Sequence, residues 1–182
     1  MFKKIQNPIL KDMCEWALVV AIALFVFLLV DNFVMRSARV FGTSMEGTFF
    51  DGDRILINRL AFTFREPAFG DIVAFPYAAN PTQSYIKRVV GVPGDVVDIR
   101  WGQVFINGNA LDDGRFLGLG NVLPGNVGFP QTIADDFFFV LGDNLRISED
   151  SRFASVGNVH RDDIIGRVGF RWFPLNSFGR VR

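Results

Sequence analysis

Residues 16–30 read WALVVAIALFVFLLV, fifteen apolar positions without a break, and behind Asp31 and Asn32 the run resumes as Phe33-Val34-Met35. At ~1.5 Å per helical residue, positions 16–35 reach about 30 Å, the thickness of a bilayer's hydrocarbon core. A helix buried in a soluble domain keeps a polar stripe, which this run lacks. A cleavable leader ends in a small-x-small site, yet the chain continues DNFVMRSARVFG, with Arg36 two places before Ala38. The sequence therefore predicts a transmembrane anchor over residues 15–35. Lys3, Lys4 and Lys11 lie on its near side, and Arg36 and Arg39 lie beyond Asp31. The positive-inside rule then places residues 1–14 in the cytoplasm as a tail and residues 36–182 outside.

Beyond residue 35 the texture changes. No stretch carries a helical period, and short β-rich runs alternate with Gly, Pro, Asn and Asp. The expected strands are Arg54–Asn58, Asp71–Phe75, Tyr85–Val90, Val96–Arg100, Val104–Ile106, Phe137–Leu141 and Ile164–Phe173. Asn107-Gly108 behind VFI is a hairpin turn signal, because both residues tolerate positive φ. Gly108–Thr132 has few alternating pairs, so about 101–136 reads as a peripheral hairpin and loop region. The fold class is mainly β: an N-terminal transmembrane helix followed by one mostly antiparallel β-sheet domain. Nineteen Lys and Arg balance nineteen Asp and Glu without a basic run, which argues against nucleic acid as a partner. One Cys and one His leave no disulfide framework and no Cys- or His-based metal site, and nothing points to a cofactor.

The cations are unevenly chosen. Fifteen of the nineteen are Arg, and outside the N-terminal tail Lys87 is the single lysine. Arg keeps its proton in a protein, whereas a buried Lys can lose it. In YIKRVVG, period-2 alternation puts Lys87 and Val89 on one face and Ile86 and Arg88 on the other. Burial among Val89, Tyr85 and Phe75, with Arg88 nearby, would lower its pKa. Ser44, in FGTSMEGTFFDGD, has glycines that let backbone N–H groups approach a developing oxyanion. A serine nucleophile needs an adjacent base. His160 lies in a polar GNVHRDD turn, so Lys87 is the better candidate. A third cluster, LGDNLRISEDSR at 141–152, crowds acidic and hydroxyl groups behind an apolar strand end without EF-hand spacing.

Ser44-Met45 with Thr48, GDIVAF at 70–75, YIKRVVGVPGD at 85–95 and GDNLRISEDSR at 142–152 stand in this order behind an anchor. The combination resembles the type I signal peptidases, membrane-bound Ser/Lys serine endopeptidases that cut signal peptides from exported preproteins after small residues. The resemblance implies Ser44 as nucleophile, Lys87 as general base and Ser148 as the hydroxyl that holds the lysine. It implies supporting ion pairs between Asp143 and Arg88 and between Asp150 and Arg152. Met45, Tyr85, Ile86 and Val40 match positions that bind substrate, which would add as a strand beside Val40–Gly42 and Ser84–Ile86. The implied partners are secretory preproteins and the lipid bilayer, and the implied place is the plasma membrane, single-pass.

Two positions depart from the family pattern. Gly47 replaces a usual Pro, a change that Pro would reverse without strain only if φ there were near −65°. Gly42 removes a hydroxyl that some members place in the oxyanion hole. The alternatives are an inactive or specialised anchored paralogue acting as a β binding module, and another Ser/Lys protease.

Overall fold

The computed structural model describes residues 8–29, 34–77 and 80–181. It opens with helix α1 (Pro8–Leu29). Pro8 stands in the first turn, where a missing N–H costs nothing, and Lys11 and Glu15 pair at 3.7 Å one turn apart. The apolar side chains that follow are exposed, Trp16 at 71%, so the helix lies free of the β domain. Among the described residues no helix is long and apolar enough to cross a membrane; the first half of α1 carries Lys11, Asp12 and Glu15. Residues 30–33 of the expected anchor, with Lys3 and Lys4 of the tail, lie outside the described residues. Met35, expected to close the anchor, instead opens a strand.

That strand is β1 (Met35–Arg39), followed by β2 (Arg54–Asn58), β3 (Ile72–Tyr77), β4 (Asn80–Gly91), β5 (Val96–Arg100) and β6 (Gln103–Ile106). Then come β7 (Asn109–Ala110), β8 (Gln131–Thr132), β9 (Phe137–Leu141), β10 (Val159–His160), β11 (Gly166–Phe173) and β12 (Gly179–Arg180). The large sheet runs β1-β2-β11-β3-β4-β9-β10, with β12 on β11, and the small one runs β7-β6-β5-β8. Every strand pair is antiparallel.

The region 101–136, expected as a peripheral hairpin and loop region, contributes hairpin strands to the small sheet and buried side chains beneath it. Its turns at Trp101-Gly102 (φ 53° and 75°) and Asn107-Gly108 (φ 53° and 79°) both have the paired positive φ of tight hairpins. Val104, Leu111, Phe116, Val122 and Ile133 are buried in one cluster with Val97, Phe139 and Leu141. Leu111, Phe116 and Val122 lie in short apolar pairs between turns, so no periodicity announces them.

β4 separates two other clusters. Tyr85 and Val89 pack with Val73, Phe75, Phe138 and Val140, whereas Ile86 packs with Val40, Met45, Phe49, Ile55 and Ala74. One row of cross-strand partners, Met35, Asn58, Arg167, Val73 and Lys87, crosses five strands. It joins the first residue of β1 to the singled-out lysine.

Candidate active site

Ser44 sits in a turn tied down by its neighbours: Met45 and Phe49 are buried, and Phe49 N–H donates to Met45 C=O at 2.8 Å. The Ser44 carbonyl accepts from Asn144 N–H at 3.0 Å, which pins the turn to the loop behind β9. That approach demands glycine at 142, where a Cβ would stand 2.2 Å from Ser148 Oγ and 2.5 Å from Ser44 O. Lys87 reaches the same point from β4. Its Nζ donates to Ser44 Oγ at 2.8 Å and lies 5.0 Å from the centre of the Tyr85 ring.

Lys87 is 1% exposed. Burial pushes its pKa down from 10.5 to about 8; Asp150 opposes the shift, Arg152 reinforces it, and Glu149 and Asp143 oppose it more weakly. The reinforcing cation is therefore Arg152, not the expected Arg88, because Arg88 leaves β4 on the opposite face. There its Nε and Nη2 grip Asp143 at 2.8 and 2.6 Å, and Nη1 donates to the Gly70 carbonyl at 2.9 Å. Arg152 and Asp150 form a second buried pair, at 2.7 and 2.9 Å. Arg152 also donates to the carbonyls of Leu145 and Ser148, each at 3.0 Å.

Ser148 differs from expectation. It is buried, but its Oγ makes no hydrogen bond among the described residues, so the bond expected to hold Lys87 is not formed. Of the four expected substrate-binding residues, Val40 and Met45 are core side chains, and Tyr85 and Ile86 remain half-exposed. Val40–Gly42 is bonded along one side, where Val40 exchanges backbone bonds with Asp53 and Gly52 and Gly42 N–H donates to Asp51. The other expected edge is open. β9 pairs with β4 from Arg88 onward, leaving the outer side of Ser84–Ile86 unpaired in the sheet.

Gly47 has φ +100° and Gly42 φ +83°, so both hold backbone conformations that a side chain strains. His160 caps a short 3-10 turn, its Nδ1 accepting from Asp162 N–H at 3.2 Å. Two participants escaped sequence reasoning. Thr48 donates its hydroxyl to Asp143 and accepts from Arg88 at 3.1 Å. Glu149 accepts from Tyr85 Oη at 2.8 Å and from Ser155 at 2.6 Å. Thr48 could have been suspected from its place in the Ser44 run; nothing marks Glu149.

Residues 13–173 match the family described as signal peptidase, peptidase S26. The chain belongs to that family. Among curated relatives of this peptidase it is 31% identical to signal peptidase IB of Staphylococcus aureus strain Mu50, over 92% of this chain and 93% of that one. It is 33% identical to signal peptidase I of Leptolyngbya laminosa, over 98% of this chain and 86% of the relative. A solved structure of a signal peptidase I from Enterococcus faecalis V583 is 29% identical, covering 57% of this chain and 97% of that one at a TM-score of 0.44.

Proposed function

We propose that this chain removes signal peptides from exported preproteins as a serine endopeptidase, with Ser44 as nucleophile and Lys87 as general base. Family membership supports the reaction, and one observation supports the assignment of roles. A buried lysine, with no carboxylate within ion-pair distance among the described residues, touches a serine hydroxyl at 2.8 Å. At a pKa of about 8, roughly a tenth of Lys87 is the free amine at pH 7 and about half at pH 8. The amine takes the Ser44 proton as Oγ attacks the scissile carbonyl. The Ser44 N–H, which has no acceptor among the described residues, faces the developing oxyanion. Lys87 then protonates the leaving amine and serves again as base when water releases the acyl group. The Arg88–Asp143 and Arg152–Asp150 pairs hold β4 and the 142–152 loop at the distance this exchange needs.

The substrate lies along the open edge of Ser84–Ile86 as an added strand, with small side chains beside Tyr85 and Ile86. The apolar stretch within residues 15–35 anchors the chain in the plasma membrane, N-terminus inside and β domain outside. The exposed apolar side chains of α1, among them Trp16, Leu18, Val20, Phe25 and Phe27, support that reading. The test is cleavage of a preprotein by the purified full chain in detergent beside its Ser44→Ala variant. Processing by the wild type alone is expected; equal processing by both would remove Ser44 from the mechanism.

A further inference from the structure

β4 is exposed at Gln83 and Ser84, half-buried at Tyr85 and Ile86, and buried from Lys87 onward. Lys87 is therefore the first buried residue on the way in from solvent, and its dryness depends on what closes that end. The next side chain outward on its own face is Tyr85. The Tyr85 ring lies 5.0 Å from Lys87 Nζ, stacks on Tyr77 at 4.6 Å and meets Phe75 edge-on at 6.0 Å. On the outer side no strand backs it, because β9 pairs with β4 only from Arg88 onward. Its tip is fixed by a side chain that nothing in the sequence marks. Tyr85 Oη donates to Glu149 Oε2 at 2.8 Å, and Ser155 donates to Oε1 at 2.6 Å. Those bonds, Ser155 first, hold the Glu149 carboxyl below its usual range, so it stays ionised wherever the enzyme works.

Glu149 acts on Lys87 in two opposed ways. Burial is the largest influence on the lysine; Asp150 favours the ammonium, Arg152 opposes it, and Glu149 and Asp143 favour it more weakly. As a charge, then, Glu149 works against a neutral base. As an acceptor it seats a ring that excludes water, and the loss of water disfavours the ammonium. The ring face attracts a cation too, but less strongly than the water it displaces. We infer that Glu149 is a positioning residue of the reaction, a latch that holds Tyr85 over Lys87 and so keeps water off the base. The inference rests on the peptidase reading above and adds to it a residue that acts through another.

The test separates acceptor from charge. Glu149→Gln removes the charge but keeps an oxygen for the Tyr85 hydroxyl, whereas Glu149→Ala removes both. Glu149 is exposed, so neither change empties core space. With the full chain in detergent micelles and a fluorogenic small-x-small peptide, kcat/KM is measured from about pH 6 to 10.5. The acidic limb of the Ala variant is expected about 0.5–1 pH unit above that of the Gln variant. That is a rate about three- to tenfold lower near pH 6.5, with the curves meeting above about pH 10 once both lysines are neutral. Tyr85→Phe, which leaves the carboxylate in place, should raise the limb above the wild-type position. Ala and Gln curves that coincide, or that differ by one factor at every pH, overturn the latch, as does a Tyr85→Phe limb at the wild-type position. Acetylation of Lys87 by acetic anhydride in the Ser44→Ala chain, followed by peptide mass spectrometry against pH, titrates the same amine without catalysis. A higher midpoint with Glu149→Ala than with Glu149→Gln, in a protein whose wild type cleaves nothing, sinks the peptidase reading and keeps the latch. Cleavage with coincident midpoints does the reverse.

Discussion

Lys87 and Arg88 are neighbours on one strand, both essentially inaccessible, and the two faces of β4 treat their charges in opposite ways. Arg88 meets Asp143 with two bonds, then Gly70 and Thr48, so its charge is matched and fixed. Lys87 meets a neutral hydroxyl among apolar neighbours, and burial lowers its pKa to about 8. The lesson is that burial alone does not make a base. What separates a structural cation from a reactive one is whether a carboxylate is bonded to it, and a pleat lets consecutive residues serve the two purposes a few ångströms apart.

The sharpest way to break this comparison is to make the two faces alike. Lys87→Arg keeps the charge but removes the deprotonatable group, so kcat/KM should fall at least ~10³-fold with the fold retained. Residual cleavage with an unchanged acidic limb would mean another group takes the Ser44 proton, and His160→Ala would be the next variant. On the other face, Asp143→Ala strands a buried guanidinium and should cost about 3–5 kcal/mol, measured by thermal unfolding. A loss below ~1 kcal/mol would show that the pair is not what holds that face.

Stability against pH sharpens the contrast further. Below pH 8 folded and unfolded chains both hold the Lys87 proton, and the penalty for burying it is constant. Between about 8 and 10.5 only the unfolded chain holds it, so wild-type stability should climb with pH, by about 3 kcal/mol in all. Lys87→Met should therefore be ~2–3 kcal/mol more stable than wild type at pH 7, with the gap closing across that window. A gap independent of pH would mean the folded lysine titrates normally. kcat/KM should rise through an ionisation near 8 in the wild type.

Gly47→Pro should destabilise by ~1–3 kcal/mol and slow cleavage, because φ +100° is closed to proline. An active, more stable variant would show that the Ser44 turn can adopt another conformation. The smallest effect is a control away from both faces. Trp101→Asn, at φ 53° on an exposed turn, should stabilise by about 0.5 kcal/mol and leave kcat/KM unchanged.

Much of the large sheet was legible, because strands such as Arg54–Asn58 and Phe137–Leu141 carry unbroken β-rich runs between turn residues. β1 was hidden by its position at the end of an apolar run, and β8, β10 and β12 have two residues each, too few for a period. The site was legible where chemistry narrows the choice, as with a single lysine beyond the tail. It was opaque where three-dimensional approach decides. Nothing in the string says that Arg152 comes close enough to act on Lys87, that Gly47 takes a positive φ, or that the Ser148 hydroxyl is left without a partner among the described residues. Thr48 and Glu149 matter through partners 95 and 64 residues away.

The row of partners from Met35 to Lys87 acts as a spirit level for the enzyme. Lys87 stands four strand spacings to the side of Met35, about 19 Å, and at the same height along the strands. Lys87 and the first residue of β1 are therefore tied to one height by four register contacts, and neither moves along its strand without the other. Moving Lys87 relative to Met35 would take a slip of two residues somewhere along the row, ~6.6–6.8 Å, and so a break in the register of the sheet.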